Sequence, residues 1–143
     1  MAKKEENSID VRKIVVDASG IVLGRLVSYL AKQALLGKTV IVVNCENALL
    51  TGRKPMIVKE YNQARARGGT SLNGPHFPNT PARIIKRTSR GMVKYDQGRG
   101  LAAYKRILCY DGLPAEFAES KKINFAKEKT TKTITLAELC QRM

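Results

Sequence analysis

Apolar positions along the chain fall into two rhythms, short unbroken runs and helical repeats, and these set out most of the elements. Lys13–Asp17 (Lys-Ile-Val-Val-Asp) is a short β-branched run that predicts a strand buried on both faces. Ala18-Ser19-Gly20 then turns the chain. From Gly20 to Leu36, the residues Leu23, Leu26, Val27, Leu30 and Ala34 recur at helical spacing. Gly37 is placed to end that helix in the left-handed conformation. Val40–Asn44 predicts a second buried strand. Strand, helix and strand in about 32 residues make a βαβ unit, whose crossover is right-handed.

The middle of the chain reads differently. Arg53 to Ala66 predicts a helix starting near Pro55, with Ile57, Tyr61 and Ala64 on its inner face. Gly68 to Thr80 holds three Gly and two Pro in 13 residues without periodicity. A loop of that length inside a domain is usually functional or is ordered by a partner. Thr80-Pro81 predicts a hydroxyl cap followed by Pro in the first helical turn. The helix it opens should run to about Arg90, with Gly91 as its stop. A further helix is expected over Gly100–Arg106, then a strand at Ile107–Tyr110 and a turn at Asp111-Gly112-Leu113-Pro114. Ala115 to Lys132 reads as an extended arm or irregular wrap, and Thr135 as the cap of a last short helix, Leu136–Arg142. At 143 residues, the chain is expected to form one domain (1–143), with its core over about 12–114 and an arm and short helix over 115–143.

Charge sharpens this picture. There are 26 Lys+Arg against 12 Asp+Glu, a formal charge of +14. Residues 53–106 hold 13 basic and 2 acidic side chains, so nearly all of the excess lies in one block. Concentrated like charge brings no folding benefit of its own and implies a polyanionic partner, most commonly nucleic acid. Arg83, Lys86, Arg87 and Arg90 stand at i, i+3, i+4 and i+7, on one face of the predicted helix. Ile84, Ile85 and Thr88 point the other way. Stacked cations weaken an isolated helix by a few tenths of a kcal/mol per pair, which a polyanion on that face would more than offset.

Other classes fare poorly. The longest apolar runs, Val40–Val43, Leu101–Tyr104 and Ile107–Tyr110, have four residues each, whereas a membrane span needs about 20. The N-terminal Met-Ala-Lys-Lys-Glu-Glu-Asn-Ser lacks the apolar stretch of a secretory signal, and its acids argue against a transit peptide. Cys45, Cys109 and Cys140 form no CxxC pair, and beside the single His76 they build no zinc site. They read as small apolar fillers in a reducing cytosol. Gly37-Lys38-Thr39 ends like a phosphate-binding P-loop, but the upstream glycine is missing and the triplet leaves a helix instead of opening one. Gly20 and Gly24 sit where a dinucleotide fingerprint would, without its GxGxxG, and fit a tight turn and close helix packing better. For acid–base work only His76 stands out, and in a Gly/Pro loop beside Phe77 it suits base stacking or a phosphate contact better. Glu60 and Asp96 are expected in a local ion pair and a turn, respectively.

Several stretches then match one family. They are Val16-Asp17-Ala18 with Leu23-Gly24-Arg25-Leu26, Val42-Val43-Asn44-Cys45-Glu46 with Thr51-Gly52-Arg53-Lys54, and Arg87-Thr88-Ser89-Arg90-Gly91-Met92. Gly98-Arg99-Gly100 and Lys105-Arg106-Ile107-Leu108-Cys109-Tyr110-Asp111-Gly112-Leu113-Pro114 complete the order over roughly residues 12–115. In these the chain resembles the universal large-subunit ribosomal protein family thirteen, in its archaeal and eukaryotic form. It departs from the family pattern at Ser89, usually Val, and at Val93-Lys94, usually Leu-Pro, which bears on the path after Met92.

The resemblance implies an α/β fold of three layers, α/β/α, with a small, mostly parallel sheet of about four strands and a C-terminal arm. It implies binding to large-subunit ribosomal RNA beside neighbouring ribosomal proteins, in cytoplasmic ribosomes. It implies no catalytic residue, cofactor, metal, membrane or small-molecule substrate. The family's RNA-facing stretches fall here on Thr51–Lys54, Arg83–Met92 and Gly98–Arg106. The expected interface therefore comprises Arg83, Lys86, Arg87 and Arg90, flanked by Arg53, Lys54, Lys94, Arg99, Lys105 and Arg106. Arg65, Arg67 and His76 are expected to be ordered only against RNA. Two alternatives stay open: a free RNA-binding regulator of translation using the same surface, and a small nucleotide-binding α/β enzyme using the Asp17–Gly24 turn.

Overall fold

The two β-branched runs find each other first. In the computed structural model, which describes residues 12–67 and 76–143, β1 (Lys13–Asp17) and β2 (Thr39–Val43) pair in parallel, Val15 opposite Ile41 and Val16 opposite Val42. The N-terminal segment and residues 68–75 of the expected loop lie outside the described residues. Between the two strands runs α1 (Leu23–Leu35), which buries Leu23, Leu26, Val27, Leu30, Ala31 and Ala34. A fully buried Leu or Val side chain is worth about 1.5–3 kcal/mol, so this one stripe holds the helix on the sheet. Gly37, at φ +91°, ends the element in the left-handed region as its position implies.

After a 3-10 turn at Cys45–Asn47 come β3 (Leu49–Thr51) and α2 (Lys54–Ala66), then α3 (Pro81–Met92) and α4 (Gly98–Arg106). β4 (Ile107–Cys109) follows α4 directly, and the arm carries a 3-10 turn (Ala115–Phe117), β5 (Lys122–Ile123) and β6 (Thr133–Thr135) before α5 (Leu136–Arg142). The main sheet has the order β4-β2-β1-β5, with every pairing parallel. β3 and β6 form a separate antiparallel pair, Leu50 opposite Ile134.

One face of the sheet presents Val16, Val40, Val42 and Ile107 to α1 and α3, and Ile84, Ile85, Leu136 and Leu139 join the same core. The other face buries Val15, Ile41 and Val43 against Phe117. The outer layer is therefore thin, a 3-10 turn of the arm in place of a full helix. All three described cysteines are free thiols; Cys45 is fully buried among apolar neighbours. The Cys109 thiol beside it, together with burial, pushes Cys45 well above the usual thiol range.

Three expectations need correcting. Gly91 does not stop α3; a Cβ there would meet nothing within 4 Å, and the helix continues to Met92. The left-handed residue that redirects the chain is Lys94, at φ +49°, one step past the buried Val93. Nor does the Thr80 hydroxyl cap α3: the Ala82 N–H donates instead to the Asp111 carboxylate at 2.9 Å. This brings a negative charge from the β4 side to a helix end that has no acid of its own. The arm, in turn, is more ordered than the sequence implies, because it contributes β5 and β6.

Candidate nucleic-acid interface

α3 sorts its residues by chemistry. Ile84, Ile85 and Ser89 are buried on the inner side, and the Ser89 hydroxyl satisfies itself on the Ile85 carbonyl of the preceding turn at 2.8 Å. The opposite side carries Arg83, Arg87 and Arg90. With His76, Pro78, Lys86 and Tyr104 they line an open hollow of about 230 Å³. Among the described residues no carboxylate lies within ion-pairing distance of these arginines.

Aromatic rings hold two of these arginines, Arg87 and Arg90, in place, a feature the charge spacing does not disclose. The Arg87 guanidinium lies 4.8 Å from the centre of the Phe77 ring and also donates to the His76 carbonyl at 3.4 Å. Phe77 in turn meets Tyr61 of α2 edge-on at 5.1 Å. The Arg90 guanidinium lies 3.8 Å from the centre of the Tyr95 ring. Cation–π contacts of this kind are worth about 0.5–1 kcal/mol at exposed sites, enough to orient a side chain without neutralising it.

Lys86 departs from the expected arrangement. Its ammonium turns inward, donates to the carbonyls of Tyr104 and Ile107, and sits 4.3 Å from the centre of the Tyr104 ring. These carbonyls belong to the end of α4, so Lys86 places a cation where a helix C-terminus favours one. Burial holds its pKa below the ordinary lysine value. Arg106 is also turned to the protein, donating to the Ala34 carbonyl near the end of α1 at 3.2 Å. Lys54 pairs with Glu138 of α5 at 3.1 Å, where Arg142 joins at 2.7 Å, and Arg65 reaches the Met143 carbonyl at 3.4 Å. Arg53, Arg67, His76, Lys94, Arg99 and Lys105 are exposed. Glu60 is exposed and makes no ion pair among the described residues, and Asp96 lies in the turn before α4.

The turn after β1 is filled by the protein itself. Asp17 accepts from the Ser19 N–H at 3.0 Å and from the Asn44 amide at 3.2 Å. Its partial burial would raise its pKa, but the Ser19 and Asn44 hydrogen bonds and nearby Lys122 outweigh this and hold it below the usual carboxylate value. Gly20, at φ +72°, donates its N–H to the Asn47 carbonyl at 3.1 Å. Among the described residues no group of three His, Cys, Asp or Glu side chains is placed to hold a metal ion. No described helix is long and apolar enough to cross a membrane.

Fold and surface together define a small basic α/β protein that carries a row of exposed or half-exposed arginines along one helix. The sequence profile of "Ribosomal protein L13" matches residues 12–116, and the chain belongs to that family. It is 42% identical over 135 residues to "Large ribosomal subunit protein uL13" of Methanosarcina barkeri, covering 90% of this chain and 96% of that one. The protein of the same name from Archaeoglobus fulgidus is 44% identical over 131 residues (87% and 83% covered). That of Methanocaldococcus jannaschii is 40% identical over 132 residues (90% and 96%).

Proposed function

We propose that this protein is a structural constituent of the large ribosomal subunit, which binds and stabilises large-subunit ribosomal RNA without performing a chemical step. The observation that carries this reading is the row Arg83, Arg87 and Arg90, exposed or half-exposed beside an open hollow and without a carboxylate partner among the described residues. Names of the archaeal relatives support it, since each is called a large-subunit protein. The sheet and α1 form a rigid body; α3 and α4 project cations from it. Neutralising phosphates and releasing their counterions supplies most of the affinity. Those contacts position the protein, and selectivity comes from the folded shape of the RNA.

On this reading the expected contact residues take different roles. Arg53, Arg67, His76, Arg83, Arg87, Arg90, Lys94, Arg99 and Lys105 face outward as RNA contacts. Lys86 and Arg106 hold α4 to the body, Lys54 holds α2 to α5, and Arg65 serves the RNA only by leaving its contact with Met143. Partners are thus large-subunit RNA and adjoining ribosomal proteins, in cytoplasmic ribosomes, with no cofactor.

The test is the triple substitution Arg83→Glu, Arg87→Glu and Arg90→Glu. It should leave the far-ultraviolet circular dichroism spectrum unchanged and remove the tagged protein from the large-subunit peak of a sucrose gradient. Native-like incorporation would rule out this face as the binding surface.

A further inference from the structure

Beyond β5, the arm crosses the turn that leads into α1. The Asn124 side-chain amide donates to the Ser19 carbonyl at 3.0 Å. Ala126 packs so close to Gly20 that a Cβ there would stand 3.3 Å from the Ala126 Cβ. Phe125 rests on Tyr29 of α1, with ring centres 5.0 Å apart. Phe125, Lys127 and Lys129 recur at every second position of the arm and, with Ile21, Val22 and Arg25, line a second hollow of about 220 Å³.

Three cations from segments a hundred residues apart therefore converge on one groove. None has a carboxylate within ion-pairing distance among the described residues. Converging like charges repel one another, and an anion in the groove relieves that repulsion. The first turn of α1 adds backbone N–H groups that no side chain caps, and it holds no acid. Apolar Ile21, Val22 and Phe125 between the cations suit a ligand with carbon-rich parts between its charges, as a sugar–phosphate backbone has.

We propose that this groove is a second phosphate-binding site and that its occupant is an RNA backbone, held apart from the α3 face. The proposal rests on the RNA-binding reading above. The groove shares no lining residue with the hollow beside α3, so the protein grips RNA phosphates at two separate places on its surface. Lys127 and Lys129 lie beyond the 12–116 span matched by the family profile.

The test uses the full-length chain in three forms: native, Arg25→Gln with Lys127→Gln and Lys129→Gln, and Arg83→Gln with Arg87→Gln and Arg90→Gln. Each is titrated against protein-free large-subunit ribosomal RNA over a range of salt. At roughly 0.7 per single-stranded phosphate contact, the groove variant should lower the log–log salt slope by about two. Lys127→Gln with Lys129→Gln alone, on the arm and away from the core, should lower it by about 1.4 and serves if the triple variant fails to fold. A native slope in the groove variants beside a reduced slope in the α3 variant overturns the second site and leaves the first intact. Native slopes in all of them overturn both. Saturable binding of inorganic phosphate by the native protein, lost in the groove variant, would assign the groove to a small anion and overturn the polynucleotide assignment.

Discussion

Gly100 offers a sharp check on how α4 is seated. It is buried in the first turn of the helix, and a Cβ there would stand 2.1 Å from the carbonyl oxygens of both Val93 and Lys94 and 2.6 Å from the Lys94 carbonyl carbon. Carbon and oxygen ordinarily approach no closer than about 3.3 Å, so Gly100→Ala overlaps two backbone oxygens by more than an ångström. Neither is the tip of a flexible side chain; the whole Val93–Asp96 turn has to move, and Lys94 there is already left-handed. Overlap this deep with two backbone oxygens lies at or just above the top of the usual range for overpacking, about 3–4 kcal/mol, while the gain in helix propensity returns at most about 1 kcal/mol. The expected net loss is about 2–3 kcal/mol. At about 3–4 °C per kcal/mol for a chain of this size, Tm should fall by about 6–12 °C. Gly91→Ala is the matched control, because its Cβ would meet nothing within 4 Å inside α3. It should raise stability by about 0.5–1 kcal/mol. Thermal and urea unfolding of both variants would measure this pair of opposite signs. A Gly100→Ala protein that melts at or above the native temperature would refute the close seating of α4 on that turn, and with it the placement of Lys94 and Arg99.

Lys86→Met should separate the inward lysine from its outward neighbours. Deprived of a charged donor, the Tyr104 and Ile107 carbonyls should cost about 2 kcal/mol of stability in urea unfolding, while RNA affinity falls much less than in Arg87→Met. Equal affinity losses in the two variants would place the ammonium on the RNA after all. Asp17 governs an acid-side dependence: its folded pKa lies below the unfolded value near 3.9, so its contribution is complete above that value and disappears as pH falls through the folded pKa. Asp17→Asn should flatten the decline of the urea midpoint over that range, and an unchanged decline would show that the Ser19 and Asn44 hydrogen bonds do not favour the carboxylate.

Elements that carry their own periodicity were legible in the chain. α1 declares itself by five apolar positions at helical spacing, and β1 and β2 by unbroken β-branched runs, because those patterns alone decide which face is buried. β3, β5 and β6 escaped notice for the opposite reason. Each has two or three residues, and each exists only because a distant partner supplies its ladder, as Thr133–Thr135 does for Leu49–Thr51. Gly91 misled because glycine stops a helix only when a left-handed residue is needed there, and that duty fell to Lys94. The cationic face of α3 followed from spacing. What each cation touches did not, since Lys86 turns inward only because the end of α4 lies beneath it. Nothing in the arm's mixed charge singles out Lys127 and Lys129, and Arg25 joins them only through the path of the arm.

The seam between β3 and β6 also fixes the order in which the molecule can be completed. Residues 133–135 stitch onto residues 49–51, and residues 122–123 add the edge strand beside β1, so late segments of the chain are structural partners of its earliest strands. During synthesis the early β1–α1–β2 unit emerges long before those partners exist. Leu136 and Leu139, which help close the core beside Ile84 and Ile85, arrive later still. The nascent chain therefore leaves the tunnel with part of its apolar side open, and a premature stop before Lys122 would release a body lacking both its edge strand and its seal.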